Sequence, residues 1–488
     1  MKMLIDSQWT DSADRRTSAV RNPGTGEIID EVPQATEADV DRALKSAVEG
    51  SVRMRALPAH QRSTVLTRAA AVIHARNEEL AMLLARENGK PIGQTRAEVE
   101  VAGRLFSGFA EEGRRMFGRT IPMDAVPGSE RHFAMTIRQP LGVVAAIVPF
   151  NYPVELYAHK AAAALAAGNA VIAKPPSACP VTLLKIAEIL EAAGLPRGAH
   201  QMITGAGELV GERLARSPVV RLLSLTGSTS VGIRLTELGA KNLQKIHLEL
   251  GGNDAMIVCA DADLEKATDA VVLGRLARGN GQICCAVKRV FIDRRIYAEF
   301  CTMLASKAAR LKVGNQLAED TDCGPLISES AAKKVEASIV EAVGAGAKIL
   351  CGGTRRGAFI VPTVLSDVPA SAPLFNEETF GPVAPLAAFS GIDEAIRMAN
   401  DSPFGLQAAV FTNDISQAMT IARRLEAGGV IINWSSAFRA ENVPFGGTKM
   451  SGHGREALHD TLIDMTEQKA IIIHNAFPPV PGQERDDS

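Results

Sequence analysis

The chain has 488 residues, of which 46% are hydrophobic and 22% are charged, and its formal net charge is −2. This length exceeds one simple core, so two or three domains are expected, and the balanced charge gives no reason to expect nucleic acid or a membrane surface as a partner. Seven cysteines without a CxxC or Cys/His cluster argue against a disulfide framework and a structural metal site. The first residues lack the apolar core of a secretory signal, and no apolar run approaches the ~20 residues that span a bilayer, so a cytoplasmic location is expected.

The first third of the chain is predicted to be turn-rich and then helical. Residues 1–35 are expected to form short strands, and apolar residues recur at helical spacing over 59–87. A second helix is predicted over 94–116, with Arg104 off its apolar face, as is typical of a solvated surface arginine. Residues 119–139 contain prolines and then an alternating segment, which predicts an excursion toward a partner subunit.

From residue 140 onward, strands alternate with helices, which predicts a doubly wound parallel sheet. The alternation continues in the second half of the chain. The predicted strands are 142–148, 170–173, 201–204, 221–225, 245–248, 255–259 and 287–292. One predicted helix ends near 167 and another begins at 208. The other predicted helices span 180–193, 263–278 and 296–310.

Polar residues follow several of these strands, and each admits two interpretations. Asn151 stands where open α/β sheets place ligand contacts, although it is equally suited to a turn. Gly227 and Ser228 open a helix and offer backbone N–H groups to a phosphate, but the glycine could simply permit a tight turn. Glu249 beside two glycines is either a general base or a hydrogen-bonded structural acid.

The segment Gly281-Gln282-Ile283-Cys284-Cys285-Ala286 places a thiol shortly after a glycine. A nucleophilic cysteine needs an exposed and partly electropositive setting, because the thiolate is the reactive form. Most free cysteines instead behave as small buried hydrophobic residues, so the segment alone leaves both interpretations open. A disulfide between Cys284 and Cys285 would be strained and is not expected.

Several segments, taken together and in order, resemble the aldehyde dehydrogenase superfamily from about residue 5 to residue 475. They are Pro149-Phe150-Asn151, Lys174-Pro175, Thr226-Gly227-Ser228, Glu249-Leu250-Gly251-Gly252, Gly281-Gln282-Ile283-Cys284, Glu378-Thr379-Phe380-Gly381-Pro382 and Pro444-Phe445-Gly446-Gly447. The resemblance implies an α/β fold with two doubly wound parallel-sheet domains and a small β arm for oligomerisation. The implied regions are a cofactor-binding domain over 1–118 and 140–250, a catalytic domain over 251–455, and an arm over 119–139 completed by a strand near 468–475 in the return segment and tail 456–488.

The resemblance also implies a role for each catalytic residue. Cys284 attacks the aldehyde carbon, and the Asn151 amide and the Cys284 N–H hold the oxyanion. Glu249 activates the water that hydrolyses the resulting thioester, and Lys160 tunes this acid–base pair. Cys285 is expected to be a packing neighbour.

The implied cofactor is NAD or NADP. The implied cofactor contacts are Lys174, Ser177, Gly227, Ser228, Glu378, Phe380 and Phe150. Ser177 departs from strongly NAD-preferring relatives, which carry glutamate there. Without that carboxylate no like charge repels a 2′-phosphate and Lys174 attracts one, so dual use or NADP preference is the hypothesis.

The resemblance places Arg104, His159 and Arg439 across the mouth of the substrate pocket. Arginine side chains suit carboxylate or phosphonate groups, which favours a small anionic aldehyde. The segments around Cys284 and Arg439 are similar to the lactaldehyde, non-phosphorylating glyceraldehyde-3-phosphate and phosphonoacetaldehyde dehydrogenase branches, although Ile283 replaces an arginine found in some of them. Alternatively, the arginines form salt bridges and the substrate is a neutral short aldehyde such as lactaldehyde.

Two other functions remain as alternatives. Coenzyme A-acylating semialdehyde dehydrogenases typically lack an acid at the position of Glu249, so its presence disfavours that class. A catalytically silent binding relative is expected to have lost Cys284, Asn151 or Glu249, and all three are present. The resemblance implies a homodimer or homotetramer, and the polar tail after Pro478 is expected to be disordered.

Overall fold

The computed structural model describes residues 1–478, so the polar tail for which disorder is expected lies outside the described residues. The helices are α1 Glu37–Ala56, α2 Ala59–Ala75, α3 Asn77–Asn88, α4 Ile92–Glu112, α5 Pro153–Ala166, α6 Val181–Ala192, α7 Gly207–Arg216, α8 Thr229–Ala240, α9 Leu264–Val271, α10 Tyr297–Ala308, α11 Glu329–Gly344, α12 Pro373–Asn376, α13 Ile392–Asn400, α14 Ile415–Arg424 and α15 Leu458–Asp464. Within the described part of the chain, no helix combines the length and apolar character needed to cross a bilayer.

The strands are mostly short and fall into two large sheets and several small ones. They are β1 Met3–Ile5, β2 Gln8–Thr10, β3 Thr17–Arg21, β4 Ile28–Pro33, β5 Thr120–Ile121, β6 Phe133–Pro140, β7 Val143–Ile147, β8 Ala170–Lys174, β9 His200–Met202, β10 Val220–Thr226, β11 Lys245–Glu249, β12 Ala255–Val258, β13 Arg289–Asp293, β14 Lys348–Cys351, β15 Arg355–Arg356, β16 Phe359–Ile360, β17 Thr363–Ser366, β18 Val383–Phe389, β19 Phe404–Gly405, β20 Gln407–Phe411, β21 Gly429–Ile432, β22 Thr448–Lys449, β23 Gly452–His453 and β24 Thr466–Ile473.

The first large sheet has the order β2-β1-β9-β8-β7-β10-β11-β23. Its centre is parallel, and β7 and β8 are buried along their whole length because helices cover both faces. The strand order reverses between β7 and β10, so this sheet has a topological switch point at the carboxyl ends of those strands. Helix α5 follows β7, begins with a proline that suits the first helical turn, and is buried at every position.

The second large sheet has the order β14-β17-β18-β13-β12-β20-β21 and is parallel except at β14. Apolar clusters cover both of its faces, one built mainly with α11 to α14 and the other with α9 and α10. The predicted α/β fold class with two doubly wound sheets is therefore confirmed.

A third, small sheet has the order β24-β6-β5. Strand β24 pairs antiparallel with β6 along its whole length, from Thr466 opposite Pro140 to Ile473 opposite Phe133. The predicted excursion and the predicted last strand thus meet in one structural unit. Ile472 and Ile473 on β24 are 62% and 48% exposed, so this unit leaves apolar side chains uncovered in a single chain.

Two predicted helices are wrong in detail. The helix predicted over 59–87 is broken at Arg76, which departs from helical geometry while the apolar spacing continues across it. The helix predicted over 263–278 ends as α9 at Val271 and continues as a π-helical turn over Val272–Ala277 and a 3-10 turn over Arg278–Gly281. A Cβ at Gly274 would lie 1.8 Å from the Ser435 Oγ, so contact with another segment shapes this irregular stretch.

Candidate active site

A cavity of about 580 Å³ lies at the carboxyl ends of β7, β10 and β11 and reaches the Cys284 side chain. This is the switch point at which open α/β sheets bind ligands. Of the seven residues predicted to bind the cofactor, six line the cavity, and Asn151 lines it as well. The six are Phe150, Ser177, Gly227, Ser228, Glu378 and Phe380.

The N-terminus of α8 opens onto this cavity, since Gly227, Ser228 and Val231 line it. Ser228 is the N-cap residue, but its side chain makes no capping hydrogen bond to the backbone of the first turn. The first N–H groups of the helix therefore remain available, together with the positive end of the helix dipole, for a phosphate group. This arrangement fits the pyrophosphate of a dinucleotide.

Lys174 lies behind the cavity wall rather than in it. Burial lowers the pKa of its ammonium to about 8. Its Nζ lies 3.2 Å from the Ser177 Oγ, and that hydroxyl lies 3.1 Å from the Gly205 carbonyl oxygen. Ser177 thus connects the lysine to the cavity.

Two aromatic rings and one carboxylate also line the cavity. The rings of Phe150 and Phe380 meet nearly edge to face, with centroids 5.7 Å apart. The Glu378 carboxylate lies against the Gly251 and Gly252 backbone and accepts the Gly252 N–H at 3.2 Å. A Cβ at Gly251 would lie 2.2 Å from the Glu378 Oε2, so glycine is required for this approach.

Cys284 is partly exposed and follows the irregular turns after α9, whereas Cys285 is buried. None of the seven cysteines is joined to another within the described residues. A side-chain hydrogen bond with Cys285 and burial raise the pKa of the Cys284 thiol well above its ordinary value. Cys284 therefore rests as a thiol and needs a base to become a thiolate.

Glu249 is the buried acid near this thiol. It is 2% exposed, and neither carboxylate oxygen has a hydrogen-bond partner within the described residues. Burial, repulsion by Glu456 and the proximity of Cys284 raise the pKa of Glu249 well above its ordinary value. A Cβ at Gly446 would lie 2.9 Å from the Glu249 Oε1, so the backbone closely approaches the carboxylate there.

A buried ionic cluster stands behind Glu249. Glu456 accepts hydrogen bonds from Lys160 at 2.9 Å and from the Arg439 Nη2 at 2.8 Å. Burial alone would raise the pKa of Glu456, but the charges of Lys160 and Arg439 bring it well below its ordinary value. The same Arg439 nitrogen lies 2.9 Å from the His159 Nε2, and burial with the arginine charge lowers the pKa of His159 well below its ordinary value. His159 is therefore neutral.

The two predicted substrate arginines are both occupied by other contacts. Arg104 is exposed on α4 and pairs with Glu441 at 2.9 Å, while Arg439 directs its guanidinium to Glu456 and His159. The observed contacts are therefore those of the alternative interpretation, in which the two arginines form salt bridges. Arg104 is also absent from the lining of the cavity that reaches Cys284.

Arg278 was missed by the sequence analysis. Its Nε donates to the Tyr152 hydroxyl at 3.2 Å and its Nη1 to the Ala437 carbonyl at 2.7 Å. Its Nη2 makes no hydrogen bond to any residue in the described range. Tyr152 and Cys284 pack against the same apolar cluster, so Arg278 keeps one guanidinium nitrogen unused beside that cluster, although, like Arg104, it does not line the cavity that reaches Cys284. Its position in the glycine-rich segment just before Cys284 was the signal that could have revealed it.

Comparison with known proteins agrees with this geometry. The model of the Aldehyde dehydrogenase family matches residues 9–471. The chain belongs to the aldehyde dehydrogenase family. The predicted resemblance is thereby confirmed, and the protein is an NAD(P)-dependent enzyme that oxidises small aldehydes.

Individual members of the family are similar along almost their whole length. The enzyme is 41% identical to the 3-sulfolactaldehyde dehydrogenase of Priestia megaterium, over 97% of this chain and 98% of that one. It is 40% identical to the glutarate-semialdehyde dehydrogenase of Pseudomonas putida, over 96% and 97% of the two chains. The crystal structure of an E. coli NADP-dependent enzyme matches with a TM-score of 0.94 at 38% identity, over 97% and 98% of the chains.

Proposed function

We propose that the enzyme oxidises a small aldehyde carrying a carboxylate or sulfonate to the corresponding acid, with Cys284 as nucleophile. The observation that carries this proposal is the free Nη2 of Arg278 beside Tyr152, which itself packs near Cys284. A guanidinium suits the planar, charged oxygen groups of such substrates. The names of the two relatives, 3-sulfolactaldehyde and glutarate-semialdehyde dehydrogenase, point to the same substrate class.

The first chemical step joins Cys284 to the aldehyde. Ionised Glu249 takes the proton of the Cys284 thiol and passes it to solvent, after which the sulfur bonds to the carbonyl carbon and the oxygen gains the negative charge of a thiohemiacetal. The Asn151 side-chain amide and the Cys284 N–H donate hydrogen bonds to that oxygen. A nicotinamide held beside Phe380 and Glu378 would supply the acceptor for the hydride that leaves the tetrahedral carbon as the thioester forms.

The second step releases the acid from the thioester on Cys284. Glu249 accepts a proton from the attacking water, because its two oxygens have no hydrogen-bond partner within the described residues. Lys160 and Arg439 neutralise Glu456, so they limit the repulsion that Glu249 experiences when it ionises. Lys160 is therefore a positioning residue in this proposal.

The proposed cofactor contacts line the cavity or lie directly behind its wall. Ser177, with Lys174 hydrogen-bonded behind it, would hold the adenosine ribose, Gly227 and Ser228 would hold the pyrophosphate, and Glu378 would hold the nicotinamide ribose. Because Ser177 carries no charge and adjoins Lys174, a 2′-phosphate is tolerated there. The proposal therefore includes use of NADP as well as NAD.

The proposal also includes a cytoplasmic homo-oligomer. Unpaired cysteines agree with a reducing compartment. The exposed apolar residues of β24 agree with a subunit interface on the small third sheet. Light scattering on the full chain, with Ile472→Lys as an interface variant, tests the assembly, and a monomeric wild type contradicts it.

A matched aldehyde panel tests the substrate class. Succinate semialdehyde and 3-sulfolactaldehyde are compared with propionaldehyde and lactaldehyde by kcat/KM in the wild type, Arg278→Gln and the surface control Arg104→Ala. We expect Arg278→Gln to lower kcat/KM for the anionic aldehydes by about tenfold or more and to spare the neutral ones, since a charged hydrogen bond is lost. Equal loss for both groups, or a wild type that prefers neutral aldehydes, contradicts the proposal.

A further inference from the structure

Lys288 is a buried lysine four residues after Cys284, and the proposed chemistry does not use it. Its side chain is 1% exposed. Its ammonium donates to the Gly252 carbonyl at 2.6 Å, to the Cys284 carbonyl at 2.7 Å and to the Glu378 carboxylate. An ammonium has three N–H donors, so this set satisfies all of them. Burial of a charged group costs free energy unless the group is paired and hydrogen-bonded, so these three contacts allow the Lys288 ammonium to be buried.

The three acceptors belong to three separate segments of the site. Gly252 comes three residues after the end of strand β11, Cys284 carries the thiol, and Glu378 lines the cavity. The segments also touch directly, since a Cβ at Gly252 would lie 2.8 Å from the Cys284 carbonyl oxygen. Lys288 is therefore the shared hydrogen-bond donor where these segments meet.

The charge of Lys288 also acts on the nucleophile. Cys284 faces Cys285, Glu249 and Asp254, which disfavour its thiolate, and Lys288 and Arg439, which favour it. The positive charge of Lys288 is partly neutralised by Glu378. Lys288 therefore opposes the larger effects of the Cys285 hydrogen bond and of burial, which raise the pKa of the Cys284 thiol.

We propose that Lys288 is a positioning residue that fixes the Glu378 carboxylate for the nicotinamide ribose and anchors the nucleophile segment through the Cys284 carbonyl. This inference rests on the proposed roles of Cys284 and Glu378. Glu378 is 22% exposed, and without the ammonium it keeps the 3.2 Å hydrogen bond from the Gly252 N–H, so its side chain is held more weakly against water. The loss of Lys288 therefore weakens cofactor binding and the thiolate together.

The test uses the purified full chain without aldehyde, so it is independent of turnover. NADPH binding is measured by fluorescence titration, and the midpoint of Cys284 alkylation is measured by iodoacetamide rates across pH. The variants are Lys288→Met, Lys288→Arg and Glu378→Gln. Lys307→Met is the matched control, because Lys307 is 11% exposed and paired with two acids remote from the site.

We expect Lys288→Met to weaken NADPH binding about tenfold, as for the loss of a charged hydrogen-bond partner, and to move the alkylation midpoint to higher pH. Glu378→Gln weakens binding as well but moves the midpoint to lower pH, because it removes the charge that opposes Lys288. Lys288→Arg restores the midpoint, and Lys307→Met changes neither quantity.

The two shifts in opposite directions are the decisive result. A Lys288→Met variant that binds NADPH within about twofold of the wild type and keeps its alkylation midpoint overturns the inference. If Lys288→Met does not fold, the Glu378→Gln variant decides the test. Removal of the Glu378 charge leaves the Lys288 charge unopposed, so an unchanged or higher alkylation midpoint overturns the inference. If Cys284 of the wild type does not react, or if the wild type does not bind NADPH, the result contradicts the proposed function instead.

Discussion

The Lys160 Nζ lies 2.9 Å from the Glu456 Oε1, and each side chain is 1% exposed. Lys160 comes from the fully buried helix α5 and Glu456 from the segment just before α15. The pair joins helix α5, which packs on β7 and β8, to the return segment, and the charge of Glu456 acts on Glu249. Because Arg439 shares the same carboxylate, the cluster contributes to stability and to the electrostatics of the site.

Removal of Lys160 is expected to destabilise the enzyme strongly. Lys160→Met leaves Glu456 buried with one cation instead of two, and loss of one partner from a buried ion pair costs about 3 kcal/mol. Urea unfolding checks the free energy of unfolding, with Lys307→Met as the control because its partners are largely exposed and such pairs contribute about 1 kcal/mol or less. A loss for Lys160→Met no larger than for the control contradicts the prediction.

Activity is expected to rise with pH. Burial and repulsion by Glu456 raise the pKa of Glu249, so this acid keeps its proton to higher pH than an ordinary carboxyl group and becomes a base as the pH increases. The kcat/KM of the wild type should therefore increase toward alkaline pH. Glu249→Gln should lose this limb and accumulate the thioester on Cys284, which acid quenching followed by mass spectrometry detects. A wild-type kcat/KM that does not change with pH contradicts this prediction.

The same shift predicts a pH dependence of stability. The folded chain retains the Glu249 proton at pH values where the unfolded chain has released it, so the free energy of unfolding falls as pH rises from the ordinary toward the raised pKa. Thermal unfolding of the wild type and Glu249→Gln across pH measures this. The variant should show a smaller decline, and identical declines in both chains contradict the assignment.

Ser177→Glu is expected to disfavour NADP. The new carboxylate lies beside Lys174 and repels a 2′-phosphate, so kcat/KM for NADP should fall by about tenfold or more while kcat/KM for NAD changes little. The uncharged variant Ser177→Gln is the control and should retain NADP activity better. A wild type that prefers NAD by more than about a hundredfold contradicts the hypothesis of NADP use, since that ratio equals about 2.8 kcal/mol.

Gly281→Ala is expected to disrupt the nucleophile segment. Gly281 has φ +71°, and a Cβ there would lie 2.4 Å from the Gly381 carbonyl carbon. Gly357 has φ +60° with no atom within 4 Å of its Cβ position, so Gly357→Ala isolates the backbone strain of about 1–2 kcal/mol. Gly281→Ala should lower both the free energy of unfolding and the Cys284 alkylation rate beyond that control. Equal effects show that the contact with Gly381 is unimportant.

Much of the fold was predictable because burial on both faces leaves unbroken apolar runs such as those of β7 and β8. The break at Arg76 was not, because apolar residues keep their helical spacing on both sides of it. The irregular turns before Cys284 were also hidden, since Asn280 forms them through side-chain contacts with Gly89 and Pro325. Such turns depend on residues distant in sequence.

The candidate site also has features that the sequence predicts and features that it does not. Cys284, Asn151 and Glu378 stand in recognisable segments, and the structure brings all three to one cavity. The contacts of Arg439 were not predictable, because His159 lies 280 residues away in sequence and α5 must fold before they can meet. Arg278 was missed because its availability depends on which of its nitrogens find partners. That information exists only in three dimensions.

The small third sheet has a consequence for biosynthesis. Strand β6 has β24 as its long partner, and β24 leaves the ribosome only after the whole second large sheet has been made. Throughout translation β6 therefore presents an unpaired edge, and such edges promote aggregation of nascent chains. The two large sheets can form as the chain emerges, whereas this small sheet must be the last part of the fold to close.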